Sequence, residues 1–404
     1  MSSPRLLLLG NCQMQSLAAA GALRDAPSKT YILFLHALSD IPLAEIRQDV
    51  ERHVPAEEFA YARRQGNFVP MPAASDLQGF GSGAVVMNLF HEKPGHRHRT
   101  LGYHVATDGS LDNECPNLAA YLRESFVPLV PASGYFTRME RLVHQVAELF
   151  PGRPLVLVRR LSPHRSAGAE VPHASFLEGW EGLAPRAEAF YRRLERDLPN
   201  LRLVDMDRVV AGMLHNGAAW TDLFSGMLLH QGPSGLDIQV DIEHLTPEVW
   251  ERTAELVREA ACGRAPSYRP EEDPRRLPPA PARFQVPDAD QVERDIASGQ
   301  RYIQRRGLIC ALLALPRDHV DLLHKHAPRL DLNICDIDLI AAFLRRRGRQ
   351  DAAALELLAA LHANIAARRA ENEYTRQVLT RHLASVLAQF RPIPRPRAAC
   401  AQAT

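Results

Sequence analysis

The sequence predicts an α/β protein with a mainly parallel sheet, joined to a smaller all-helical domain. Three observations carry that reading. Short apolar runs alternate with longer helical patterns through roughly the first two thirds of the chain. Proline then crowds one segment, and the chain beyond that segment has helical periodicity without strand-like runs.

Arg5 to Leu9, Tyr31 to His36, Ala84 to Leu89, Pro154 to Arg159 and Leu201 to Met206 read as strands, most of them too continuously apolar to be half-exposed. Residues 13–24, 134–149, 180–197 and 246–262 read as helices, the last with Thr246 as N-cap and Pro247 as first helical residue. Helices between parallel strands cover both faces of the sheet, and ligands of such sheets bind beyond the carboxyl ends of the strands. Cys12 lies at such an end.

From Gly263 to Asp288 seven prolines and few large apolar residues predict an extended linker, which sets a first domain at 1–262. Residues 289–391 are helical by pattern. Leu339 to Leu344, the basic run from Arg345 to Arg349 and Ala352 to Ala363 predict a helix, a tight turn and a second helix, like one tetratricopeptide hairpin, with no second copy at a fixed period. A small bundle serving oligomerisation or protein docking is the expectation. Residues 392–404, with Pro392, Pro394 and Pro396, are expected to be a disordered tail.

The 404 residues are too many for one ordinary domain, and 46% hydrophobic with 24% charged residues is a globular composition. A formal net charge of +1 gives no general polyanion surface, so nucleic acid is not indicated. Cys12, Cys115, Cys262, Cys310, Cys335 and Cys400 form no Cys-x-x-Cys pair and no disulfide framework, which fits a reduced cytoplasm and gives no structural zinc. The leucine run Leu6 to Leu9 is too short for a signal peptide, and no stretch reaches the roughly 20 apolar residues of a membrane span.

Two short segments carry the chemistry. Gly10-Asn11-Cys12-Gln13 places a thiol at the tip of a strand-to-helix turn, where the helix N-terminus favours the thiolate and supplies backbone N–H groups for an oxyanion. Asp241-Ile242-Glu243-His244, before the last helix of this unit, puts an imidazole and a carboxylate on what reads as one short loop. A nucleophile, a base and an orienting carboxylate result as Cys12, His244 and Asp241. Ordinary structural roles remain open for each: a buried cysteine in a connection, and a helix N-terminal segment.

Gly-x-nucleophile after the first strand with Asp-x-x-His-Leu before the last helix resembles the SGNH (GDSL-type) hydrolase superfamily, with Cys12 at the serine position. Gly-Asn-Cys-Gln resembles the WcbI-type polysaccharide biosynthesis acetyltransferases. The resemblance covers about residues 1–262 and implies an SGNH-like, flavodoxin-like three-layer sandwich. It also implies coenzyme A or acetyl-coenzyme A as co-substrate and a sugar or polysaccharide precursor of capsule type as acceptor; no metal is expected, on the ground of the histidine spacing. It calls for an asparagine after the third strand in the oxyanion hole, for which Asn88 and His91 are the candidates, beside Asn11 and Gln13 at the nucleophile turn.

His91, His96, His98 and His104 cluster after the strand ending near Leu89, but their spacing matches no zinc pattern, and solvated loop histidines are the expectation. Arg159 and Arg160 end a strand and suit the phosphates of coenzyme A, or pair with neighbouring carboxylates. Gly79-Phe80-Gly81-Ser82-Gly83 precedes a strand and so reads as a connection, not a phosphate loop. The leading expectation is an acyltransferase passing an acyl group through Cys12 to a sugar hydroxyl. An esterase or thioesterase at the same site, direct one-step transfer with His244 as base, and a non-catalytic binding module are the alternatives.

Overall fold

The computed structural model describes residues 4–11, 13–35, 37–81, 83–89, 93–107, 111, 114–131, 133–159, 180–218, 223–232, 235–274, 288–298, 301–314, 319–346, 352–367 and 373–390. It divides into two units, Met1–Gln285 and Val286–Thr404. The chain of the first unit runs β1 (Leu6–Gly10), α1 (Gln13–Ala19), α2 (Gly21–Arg24), β2 (Ser28–Ile32), α3 (Leu43–His53), α4 (Ala56–Gln65), β3 (Val69–Pro70), α5 (Ala74–Gln78) and β4 (Ala84–Asn88). It continues with β5 (Gly95–His98), β6 (His104–Ala106), α6 (Pro116–Ser125), β7 (Phe126–Leu129), α7 (Tyr135–Leu149), β8 (Leu155–Arg159) and α8 (Trp180–Asp197). Then come β9 (Leu201–Asp205), α9 (Met206–His215), β10 (Phe224–Gly232), β11 (Gly235–Leu245) and α10 (Pro247–Ala261).

The core is a five-stranded sheet in the order β2-β1-β4-β8-β9, every pair parallel. Counted among themselves these strands run 2-1-3-4-5, so the winding reverses between β1 and β4. Alternation along each strand feeds two apolar layers. Leu6, Leu8, Val86, Val156 and Val158 pack with α1, α9 and α10 through Met14, Leu17, Val209, Trp250 and Val257. Leu7, Leu9, Val85, Met87, Leu155 and Leu157 pack with α7 and α8 through Met139, Leu142, Val146, Phe190 and Leu194. Burial on both faces explains why the inner strands are continuously apolar. Four of the five expected strands and the four expected helices are present, with α1 and α2 dividing the first helical stretch at Ala20, while the fifth strand forms earlier than expected.

Tyr31 to His36 is the strand that shifts: the ladder runs Leu6↔Ser28 to Gly10↔Ile32. As the sheet's edge, β2 tolerates the polar start Ser28-Lys29-Thr30, while Leu33, Phe34 and Leu35 are buried just beyond the ladder.

A second, four-stranded antiparallel sheet, β3-β6-β5-β7, is built from the long connections that leave the carboxyl ends of β2 and β4. It is tied to the main sheet where β2 ends: His104 N–H donates to Ser39 Oγ, and Lys93 lies over the Phe34 ring. Tyr135 Oη donates to the Leu89 carbonyl just past β4.

The segment expected as an extended linker is docked in its first half. Ser267 is held by Glu259, Tyr268 Oη accepts from Asp205 N–H, and buried Glu272 takes Arg252 Nε at 2.7 Å and Nη2 at 2.9 Å. Proline density limits regular structure here to one 3-10 turn, Pro270–Glu272, and polar side chains between the prolines supply specific anchors.

In the second unit the described elements are helices: α11 (Ala289–Ala297), α12 (Arg301–Ala314), α13 (His319–His326), α14 (Ile334–Arg346), α15 (Ala352–Ala367) and α16 (Glu373–Phe390), with one 3-10 turn at Ala327–Arg329. A buried bidentate pair, Arg306 to Asp295 at 2.7 and 2.8 Å, joins α12 to α11 beside Gly307, where the backbones approach closely. The helices expected to form a hairpin, α14 and α15, each pack against α16. Residues 392–404 lie outside the described residues. Among the described residues no helix is long and apolar enough to cross a membrane.

Candidate functional site

The point where the sheet order reverses is where Gly10 ends β1 beside Asn88 at the end of β4. The two backbones meet so closely that a Cβ on residue 10 would lie 2.2 Å from the Asn88 carbonyl oxygen, so only glycine fits. The Gly10 carbonyl in turn accepts from Leu33 N–H at 2.8 Å, fixing the end of β2. Asn88 itself is fully buried, at 0% exposure.

Asn11 then turns the chain into α1. Its carbonyl accepts from Met14 N–H at 3.1 Å and its side-chain Oδ1 from Gln13 N–H at 3.0 Å, the hydrogen bonds of an N-cap. A backbone N–H can donate only to the amide oxygen, so this bond also fixes the amide's orientation. Nδ2 is left as a donor with no hydrogen-bond partner among the described residues, on a residue only 4% exposed. The Gln13 N–H, expected to hold an oxyanion, is already bound by Asn11. Cys12, at this turn, lies outside the described residues, as do His91 and Arg160.

Asp241 to His244 are not on a loop. They belong to β11, which pairs antiparallel with β10 in a long hairpin. Gly226 faces Asp241 while Phe224 faces Leu245, so two steps on β10 match four on β11 and a bulge falls within residues 242–244. Thr246 and Pro247 do open α10, although the Thr246 hydroxyl makes no capping hydrogen bond, and the strand before it is set by a partner whose pairing no local pattern reveals. For Asp241 and His244 the described part is the backbone. Leu245, next to His244, shares one buried cluster with Met14 and Leu17 of α1. Thr246 N–H closes the hairpin base on the Leu223 carbonyl at 3.0 Å, and Glu251 of α10 accepts Gly21 N–H at 2.7 Å.

Arg159 is where the sequence placed it, at the carboxyl end of β8, but its charge is matched. Nη1 donates to Asp205 at 3.0 Å and Nη2 to Glu188 at 2.9 Å, and the guanidinium lies 4.6 Å from the Tyr191 ring centroid. Of the two expected roles, pairing with carboxylates is the one present. Burial pushes the Asp205 carboxyl above the ordinary range, against the pull of Arg159, and Asp205 Oδ1 also caps α9 through Asp207 N–H at 3.0 Å.

The histidines expected in a solvated loop lie on strands, because each short strand pairs with sequence beyond the cluster. His96 and His98 are on β5 and His104 is on β6. His98 Nδ1 accepts from Thr100 and Leu101 N–H at 3.3 and 3.0 Å, so its proton is on Nε2, which lies 3.7 Å from Asp49 Oδ2. Buried Asp49 also accepts from Tyr103 Oη at 3.0 Å and from Tyr121 Oη. Sequence reasoning does not find this polar cluster, because its members come from α3, β5, α6 and the turn between β5 and β6.

Two other thiols are unsuited to nucleophilic work. Burial, with Glu58 and Glu114 nearby, pushes Cys115 up to about 12, and burial does the same to Cys310. Comparison of the chain with protein-family models, curated proteins and solved structures finds no match in any of the three.

Proposed function

We propose that the first unit is an acyltransferase that takes an acyl group, acetyl in the leading case, from coenzyme A and passes it through Cys12 to a sugar hydroxyl. The observation that carries this reading is the meeting of Gly10 with Asn88 at the reversal point of the sheet, two residues before Cys12 in the chain, together with the shared buried cluster of Leu245, next to His244, with Met14 and Leu17 of α1. A cytoplasmic site, where both donor and sugar precursors are at hand, belongs to the same proposal.

His244, oriented by Asp241, takes the Cys12 proton as the thiolate attacks the thioester carbonyl. The S–C bond to Cys12 forms, the bond to coenzyme A breaks, and the departing thiolate receives that proton. The acceptor hydroxyl then gives its proton to His244 and attacks the acyl-cysteine, and the proton passes to the leaving Cys12 sulfur. Exchange between thioesters is nearly balanced, and transfer to an alcohol runs downhill. With Gln13 N–H engaged, the donor for the tetrahedral oxyanion is Asn11 Nδ2, aided by the Cys12 N–H and Asn88.

Free thiol release from acetyl-coenzyme A, measured with and without a panel of sugars, tests the activity. Sugar-dependent release that is lost in His244→Ala supports transfer. Release independent of any sugar would make the site a thioesterase, and equal release in His244→Ala would remove the base.

A further inference from the structure

The hairpin from β5 to β6 is closed at its base by the backbone: His98 N–H donates to the Tyr103 carbonyl at 2.9 Å, and Gly102 N–H to the His98 carbonyl at 3.0 Å. Arg99 N–H is taken by the Ser125 carbonyl at 2.8 Å. What remains is the exposed tip, Thr100 and Leu101, and both of its N–H groups donate to one atom, Nδ1 of the His98 ring, at 3.3 and 3.0 Å. A single side chain holds the tip.

An imidazole nitrogen accepts hydrogen bonds only while it carries no proton. A proton on Nδ1 would set one N–H against two others, and both bonds to the tip would end. The ring is better anchored than the tip: it stacks on Tyr103 at a centroid distance of 5.0 Å, meets Phe126 edge-on at 4.9 Å, and turns Nε2 toward Asp49 at 3.7 Å. The tip is therefore the part that moves.

The groups that set the balance come from every element around the ring. Burial opposes the charged ring most strongly, Asp49 of α3 favours it, and His53 of α3, stacked on Tyr121 at 4.8 Å, opposes it. Burial keeps the Tyr103 and Tyr121 phenols protonated, and both donate to Asp49. Arg97 and Arg99, beside His98 in the chain, point to solvent, and Arg97 Nε reaches the Gly102 carbonyl at 3.4 Å. His98 is thus neutral at pH 7 and takes its proton below the ordinary histidine value of about 6.5.

We propose that His98 is a proton-operated latch on the β5–β6 tip: the unprotonated ring holds Thr100 and Leu101 closed, and a proton on Nδ1 releases them while the base of the hairpin stays paired. The release is local, distinct from unfolding of the small sheet, and independent of the chemistry at Cys12.

Amide hydrogen exchange read by NMR on the full chain, with the His98 ring resonances followed alongside from roughly pH 7.5 to 5, tests it. As the imidazole titrates, Thr100 and Leu101 should lose about tenfold in protection, corrected for the intrinsic rate, while the His98 and Gly102 amides keep theirs. His98→Phe, which fills the ring's place without an acceptor, should leave both tip amides unprotected at every pH, and Asp49→Asn should move the release to lower pH. Protection that persists at the tip after the ring has titrated, or a ring that takes no proton over this range, would overturn the proposal. So would wild-type protection in His98→Phe, or loss of protection across β5, β6 and β7 together.

Discussion

Gly10 and Asn88 meet across the sheet with no room for a single carbon: a Cβ on Gly10 would stand 2.2 Å from the Asn88 carbonyl oxygen and 3.1 Å from its Cβ. The neighbour is backbone in the centre of a parallel sheet, so it cannot move aside without breaking the β1–β4 ladder. Gly10→Ala should therefore cost about 3 kcal/mol in a urea titration, and a variant as stable as wild type would show that the strand ends are not so tightly joined.

In the proposed reaction Asn11 has two duties on two atoms, the observed cap through Oδ1 and the proposed oxyanion contact through Nδ2. Asn11→Asp keeps the acceptor for Gln13 N–H but lacks the Nδ2 donor, so folding should be retained while kcat for acyl transfer falls about 100-fold with KM little changed. Asn11→Ala should lose the cap as well, at about 1 kcal/mol of stability. Wild-type kcat in Asn11→Asp would remove the oxyanion role of the amide.

Arg159 has a structural role. Removing it strands the carboxylates of Asp205 and Glu188, so Arg159→Ala should destabilise the first unit by about 3 kcal/mol. KM for the acyl donor should stay within about twofold. An undiminished thermal midpoint with a steeply raised KM would instead assign Arg159 to the donor's phosphates.

His98 gives the small antiparallel sheet an acid-sensitive element. Burial lowers its pKa, against the pull of Asp49 and with His53 adding to the lowering, and Tyr103 and Tyr121 complete its surroundings. The folded chain thus holds fewer protons on His98 than the unfolded chain does. Its contribution to stability is fully present above the unfolded pKa of about 6.5 and is lost as pH falls from there through the lowered folded value. His98→Asn should flatten the dependence of the urea midpoint across roughly pH 5 to 7; an identical slope in the variant would place the acid sensitivity elsewhere.

The parts of the fold legible in the sequence are those set by burial on both faces. Leu6 to Leu9, Val85 to Met87 and Leu155 to Val158 are continuously apolar because α1, α9 and α10 cover one side and α7 and α8 the other. Edge strand β2 is harder to place because its start, Ser28-Lys29-Thr30, is polar and its apolar sequel lies past the ladder. Strands of two to four residues in the small sheet are too short for any periodicity to declare them. The β10–β11 hairpin is hidden for another reason, its bulge breaking the alternation near His244. At the candidate site the Gly10-Asn11 turn is readable because glycine and a capping residue are local requirements. The occupation of Gln13 N–H by Asn11 and of Arg159 by Asp205 is not, since each depends on where a side chain folds.

In the proposed reaction Cys12 carries the acyl group. Intact-protein mass spectrometry after incubation with acetyl-coenzyme A, comparing wild type with Cys12→Ala, tests this most directly. A stoichiometric acetyl adduct confined to the wild type, discharged when the sugar acceptor is added, is the predicted result. Sugar acetylation proceeding without any adduct, or an adduct formed equally in Cys12→Ala, would contradict it.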